Sequence, residues 1–318
     1  MKSLTPLATV ALLTVARTSP AAAQATTPPP SAGTATVAAG PDYDAGPFMR
    51  ALFGNGWRSV WTAPTRVPVF DITRFAGGVT PTETGGGNQT VSLRFREQNG
   101  WREYHFRSVD KDPVPRAMPP AVRGTQLGDI VQDLTSSLFP AAGLMVPPLL
   151  EAVGVLHVKP ALYVMPDDPR LGEFRRRFAG MLGTVELSPQ EAPENAPGFA
   201  DSREIESADD FLELVRESRG HRLDEREFFA ARLVDFVIND NDRSIDNIRF
   251  ARYGESAPYR WRPLPRDRDR AFTDARGWAI QYLVRPFYPK VVPFDSRFSL
   301  SGLTFESFNL DRRLLQRI

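Results

Sequence analysis

The chain has 318 residues, a formal net charge of +1 and no cysteine. The near-neutral balance excludes a nucleic-acid partner held by bulk electrostatics. Without a thiol there can be no disulfide, thiolate metal site, cysteine nucleophile or lipid-modified cysteine.

Lys2, the apolar run 7–16 and the small-residue stretch Ala21-Ala22-Ala23-Gln24 have the order of a signal peptide over residues 1–24. The run is too short, and too broken by threonine, to span a bilayer. Export to the periplasm or the exterior is therefore expected. Residues 25–44 are rich in Ala, Thr, Pro and Gly and read as a flexible leader. What remains is enough for one large domain or two lobes sharing a cleft.

Strand-like segments come first. Phe70-Asp71-Ile72 and the surroundings of Val79 read as short strands, and 91–96 alternates apolar with polar side chains. Gln98-Asn99-Gly100 reads as a hairpin turn. The return strand, 102–109, would put Tyr104, Phe106 and Ser108 on one face, with His105, Arg107 and Val109 on the other. Before this hairpin lies Gly85-Gly86-Gly87-Asn88-Gln89.

A helix is expected over 125–138, capped by Thr125 and stopped before Pro140, with Asp129 and Asp133 on one face. A second helical stretch covers 148–154, a strand 161–165, a helix 171–178 and a strand 181–187. Residues 188–202, rich in Pro, Glu and Ala, mark the boundary between an N-terminal lobe (45–187) and a C-terminal lobe (188–318). Beyond them Ser207 caps one helix and Asp224 another, with Asp210 and Glu227 three residues on. Phe228, Leu233, Phe236 and Val237 are the expected apolar stripe of the second helix. Residues 311–318 read as the start of a helix, so the second lobe is expected to be small or cut short.

That second helix delivers the chain into Asn239-Asp240-Asn241-Asp242-Arg243-Ser244-Ile245-Asp246-Asn247. A hairpin through Phe250 and Tyr259 then leads to Pro265-Arg266-Asp267-Arg268-Asp269-Arg270-Ala271-Phe272. Runs of Asp and Asn are ordinary turn formers. A calcium loop from Asp240, Asp242, Asp246 and Asn247 lacks the D-x-D-x-D-G pattern and its terminal Glu. His105, His157 and His221 are scattered and read as structural or surface groups, and Arg175-Arg176-Arg177 as a solvated helix face.

Asp242 and Asn247 have the D-x-x-x-x-N spacing of a kinase catalytic loop. The segment resembles the loops of atypical kinases: the phosphatidylinositol, HipA-type, secretory-pathway Golgi and CotH kinases. The stretch 265–272 is similar to the P-x-D-x-D-x-x-F segment with which CotH kinases hold metal. It also resembles an exported bacterial family with G-D-x-D-R-H-E-D-Q-W ahead of P-R-D-R-D-Q-A-F. That family's F-R-S-V-D-K-D-P and P-D-D-P-R-L-G-E-F segments occur here as 106–113 and 166–174. Ser244-Ile245 stand where the family carries His and Glu.

The resemblance implies an α+β, two-lobed, protein-kinase-like fold, with a strand-rich first lobe and a helical second lobe. It implies ATP and Mg²⁺ as ligands and a protein or small molecule as phosphoryl acceptor. Asp242 would be the catalytic base, and Asn247, Asp267 and Asp269 the metal ligands. Gly85, Gly86 and Gly87 would cover phosphates with backbone amides. Arg107, with Lys111 as the alternative, would hold phosphate, oriented by Asp133 or Asp129. The alternative is a catalytically inactive module of the same fold, acting as a binding or scaffold domain at the cell envelope.

Overall fold

Three sheets organise the chain in the computed structural model, which describes residues 32–86, 89–113, 120–193, 196–295 and 299–315. The expected signal peptide lies outside the described residues. The expected leader does not behave as one from residue 32 onward. Strand β1 (Thr34–Val37) pairs antiparallel with β2 (Thr65–Pro68). Tyr43 is buried edge-on against Trp61, with ring centroids 5.0 Å apart. A weakly apolar composition suggested disorder, but alternating Thr-Ala-Thr-Val is good strand material once a partner is supplied from elsewhere in the chain.

The second sheet has β3 (Val79–Gly85), β4 (Ser92–Glu97), β5 (Glu103–Ser108), β6 (Ala161–Val164) and β7 (Leu182–Leu187). Its order is β3-β4-β5-β7-β6 and every ladder is antiparallel. Phe95, Phe106 and Val185 face a core completed by Phe70, Tyr163 and Phe178. Phe70-Asp71-Ile72 is not a strand. Asp71 instead accepts hydrogen bonds from the Thr73 and Arg74 amides and turns the chain, leaving Phe70 and Ile72 as buried plugs.

The third sheet has β8 (Glu204–Ser207), β9 (His221–Leu223), β10 (Ile248–Tyr253) and β11 (Tyr259–Pro265) in the order β8-β10-β11-β9. The strand order therefore divides between β7 and β8, where the Pro- and Glu-rich segment lies.

Several helices pack between and behind these sheets. They include α1 (Pro47–Phe53), α2 (Arg58–Trp61), α3 (Gln126–Asp133), α4 (Ala142–Ala152), α5 (Arg175–Phe178), α6 (Ala208–Glu217) and α7 (Glu225–Val237). Near the end come α8 (Leu300–Leu303) and α9 (Phe308–Leu314). The fold is α+β. The caps of α3, α6 and α7 form as their sequences require: Thr125, Ser207 and Asp224 accept from the amides of Gly128, Asp210 and Glu227. Helix α4 starts earlier than the sequence suggests and contains Pro147 and Pro148. Burial of Val146 and Leu150 against α7 offsets the backbone bonds those prolines remove.

The apolar stripe of α7 is Phe228, Ala231 and Val234, continued by Ile238 beyond its end. Leu233 and Val237 are exposed, the latter by 73%. Apolar residues surround this helix, so its buried face is set by its neighbours: α4 on one side and β10–β11 on the other. Helix α9 closes the third sheet's core, placing Leu310 and Leu314 with Phe211, Phe250 and Trp261.

Gly183 on β7 lets β5 approach closely. A Cβ there would lie 2.2 Å from the Phe106 ring and 2.5 Å from the Arg107 carbonyl oxygen. Gly183→Ala is therefore expected to lower stability by about 1–3 kcal/mol, read as a shift in the urea midpoint. An unchanged midpoint would mean that β5 and β7 are less tightly apposed than described.

Candidate functional site

The capped helix α7 ends in a turn that only a short polar side chain takes easily: Asn239 adopts φ 56°. Its amide nitrogen Nδ2 donates to the Val292 carbonyl at 3.0 Å, and Asn241 Nδ2 donates to the Lys290 carbonyl at 2.6 Å. Two carboxamides thus hold a distant backbone segment against the loop.

Between them, Asp240 is completely buried. Its carboxylate accepts from the Asp242 amide at 3.3 Å. It also faces Arg243 Nε at 3.3 Å and Arg268 Nη1 at 3.2 Å. Burial pushes this carboxyl above the ordinary carboxylate range, against the pull of Arg243. Arg243 reaches across to the Arg266 carbonyl at 2.6 Å and to the Asp267 carbonyl. It ties the loop to the exit of the β10–β11 hairpin. The hairpin register, Ile248 opposite Pro265, brings the two segments together, and the Arg266 amide donates to the Asn247 carbonyl at 2.9 Å.

Asp242, Asn247, Asp267 and Asp269 consequently line one cleft of about 480 Å³, shared with Arg107 and Lys111. Asn247 Nδ2 donates to the Asp242 carbonyl at 2.7 Å and lies 3.4 Å from its Oδ2. Each of the three carboxylates faces a cation. Asp242 Oδ1 lies 3.5 Å from Lys290 Nζ, Asp267 Oδ1 lies 3.4 Å from Arg107 Nη1, and Asp269 pairs with Lys111. Asp267 adopts φ 49°, a left-handed conformation beside the site.

Electrostatics follow from these pairs. Burial opposes ionisation of Asp269, but Lys111, Arg270 and Arg243 outweigh it and hold the carboxyl down at about 2. Burial likewise opposes ionisation of Asp242, and the positive charges of Arg270 and Lys290 help reverse it, giving a net lowering. Burial raises Glu186 on β7 despite its neighbour Arg107. Arg268 is lowered to about 9 by burial and by Arg232.

Asp133 does not take its expected place. It is engaged by Arg58, whose Nη1 and Nη2 both lie 2.6 Å from its oxygens, and it does not line the cleft. Arg58 is fully buried on α2 and needs a carboxylate, so this acid is spent on holding α2 to α3. Glu186, 3.4 Å from Arg107 Nε across the sheet, is the acid beside that cation. Asp129 lies in a neighbouring depression with Lys111 and Arg123. Gly85 ends β3 and Gly86 takes φ 126°, as a glycine turn requires, while Gly87 lies outside the described residues. Gln89 and Thr90 line the cleft, whereas Gly85 and Gly86 do not.

Lys290, Glu186 and His157 are cleft residues that the sequence reading missed. Only the scarcity of lysine could have drawn attention to the first. Among the described residues, the carboxylates gathered within 4.8 Å of one another are Glu191, Glu204 and Glu206. Asp242, Asp267 and Asp269 form no such group. Their donor chemistry, carboxylate and carboxamide oxygen, nevertheless suits a hard divalent ion. No protein-family model matches the sequence, and no curated protein matches it.

Removing Arg243 would leave Asp240 buried with one cation fewer, so Arg243→Ala is expected to cost about 3–5 kcal/mol by urea denaturation. A loss below about 1 kcal/mol would show the clamp to be dispensable. Asp269 also predicts a pH dependence. A carboxyl near 2, against 3.8 ordinarily, adds stability above its ordinary value that is lost as pH falls through about 2. Asp269→Asn should therefore be less stable than the wild type at neutral pH, with the gap closing on acidification from pH 4 towards 2. A gap independent of pH would exclude the Lys111 pair as its cause.

Proposed function

We propose that the chain is an exported, protein-kinase-like phosphotransferase of two lobes, with its nucleotide site in the cleft between them. The observation that carries this reading is the set of three carboxylates and an asparagine lining one cleft, each carboxylate matched by a cation. Phosphoryl transfer needs such positioning and charge neutralisation more than it needs covalent chemistry. Asp242, held ionised at neutral pH, accepts the hydrogen bond of an acceptor hydroxyl and orients its oxygen. Arg107 and Lys111 bind phosphate oxygens, and the glycine segment 85–87 would cover them with backbone amides. Asn247, Asp267 and Asp269 would hold Mg²⁺, which supplies neutralisation of the charge on the transferring group. The acceptor is a hydroxyl of a protein or a small molecule.

A non-catalytic binding module of the same fold is the second reading. Ser244-Ile245 at the catalytic loop favours it, as does the neutralisation of all three acids by the protein's own cations. Calorimetry of residues 25–318 with a non-hydrolysable ATP analogue and Mg²⁺, beside transfer of labelled γ-phosphate, separates the two. Transfer that drops about 10²–10⁴-fold in Asp242→Asn, with nucleotide binding kept, is the expected outcome. Binding without transfer selects the second reading. Absence of nucleotide binding rules out the phosphotransferase and leaves the second reading only as a scaffold that takes no nucleotide.

A further inference from the structure

We infer that Lys290 is a third phosphate-holding cation of the cleft, brought in by the segment after the hairpin instead of by the strands carrying Arg107 and Lys111. The inference rests on the nucleotide-cleft reading above. Lys290 lines the cleft, and its side chain is 23% exposed. Its ammonium pairs with Glu306 and lies 3.5 Å from Asp242 Oδ1.

Its placement is built into the fold. Asn241 binds the Lys290 carbonyl and Asn239 the Val292 carbonyl. Val292 is buried, and the Phe294 amide donates to the Thr273 carbonyl at 2.7 Å. The backbone carrying the ammonium is thus pinned at Lys290 and at Val292 by the same loop that carries Asp242.

The geometry leaves this ammonium available. An ammonium has three N–H donors. Glu306 takes one, and at 3.5 Å Asp242 is beyond the 2.7–2.9 Å of a strong charge-assisted bond. Glu306 therefore anchors the lysine, while the rest of its donor capacity faces the cleft beside the group that would orient the acceptor. A phosphate oxygen entering beside Asp242 would meet Lys290 together with Arg270, which lines the same cleft and also acts on Asp242.

The small number of lysines makes the test direct. Limited acylation of the native protein, followed by mass spectrometry, reads Lys290 against Lys159, which pairs with Glu151 and does not itself line the cleft. ATP, and separately inorganic tripolyphosphate, each with Mg²⁺, should slow labelling of Lys290 severalfold and leave Lys159 unchanged. Lys290→Met should weaken ATP binding about tenfold, with Lys290→Arg retaining most of it. ATP binding with no protection of Lys290, or with undiminished affinity in Lys290→Met, overturns the role of Lys290 alone. If Lys290→Met fails to fold, the labelling of the wild type decides. No ATP binding by the wild type overturns the cleft reading, and this inference with it.

Discussion

Asp240 has no solvent-exposed surface and lies between two arginines, Arg243 and Arg268. Everything at the site depends on how that buried charge is met. Arg268 also pairs with Asp235 on α7. Asp235 in turn pairs with Arg232, which reaches Asp311 on α9 at 2.9 Å and Ser307 Oγ at 2.7 Å. One chain of buried ions therefore joins the helix before the loop, the hairpin exit after it and a terminal helix. Such pairs add little net stability over apolar packing, because desolvation consumes most of the Coulombic gain. Their effect is positional. A wrong register would leave a bare charge in the interior, so only one arrangement of these segments is tolerable.

Backbone conformation is distorted in the same place. Asn239, Asp267 and Phe272 all have positive φ, at 56°, 49° and 61°. Asn and Asp adopt this region at modest cost, but Phe272 does not. Its conformation is enforced from outside. Its amide donates to the Ile238 carbonyl and its carbonyl accepts from Trp57 Nε1, each at 2.7 Å. Its ring sits edge-on to Phe139 and Phe294. Strain of about 1–3 kcal/mol per residue survives only where surrounding packing over-determines it, commonly at functional sites. Here the packing comes from both ends of the chain, since Trp57 precedes α2 and Phe294 follows the hairpin.

What was legible in the sequence is what is local. The caps at Thr125, Ser207 and Asp224 are decided within one turn, and the β4–β5 and β10–β11 hairpins within a few residues of their turns. The cleft's acids were legible because their spacing is short and the intervening hairpin returns the chain to its start. Partners were not. Asp133 binds Arg58 and Arg107 faces Glu186; Lys290 comes to Asp242 from 48 residues away. The α7 stripe failed for a related reason: with apolar residues all round, periodicity does not say which face is covered. The strand β1 was hidden by a composition that favours disorder until its partner arrives.

The pairing within the cleft constrains what can bind there. A bare dication approaching Asp267 and Asp269 must displace Arg107 and Lys111, leaving two cations without counter-charges. A bare polyanion approaching those cations must compete with carboxylates already in place, and faces Asp242 as well. Either ligand alone separates pairs in a partly desolvated space, where an unmatched charge costs several kcal/mol. A metal–polyphosphate complex carries both signs, so it offers the carboxylates a cation and the cations an anion in one event. The selectivity this implies comes from charge matching, not from cavity size. On the proposed reading, carboxylates that would hold one ion need not be gathered before it arrives: their own cations hold them apart, charged and oriented.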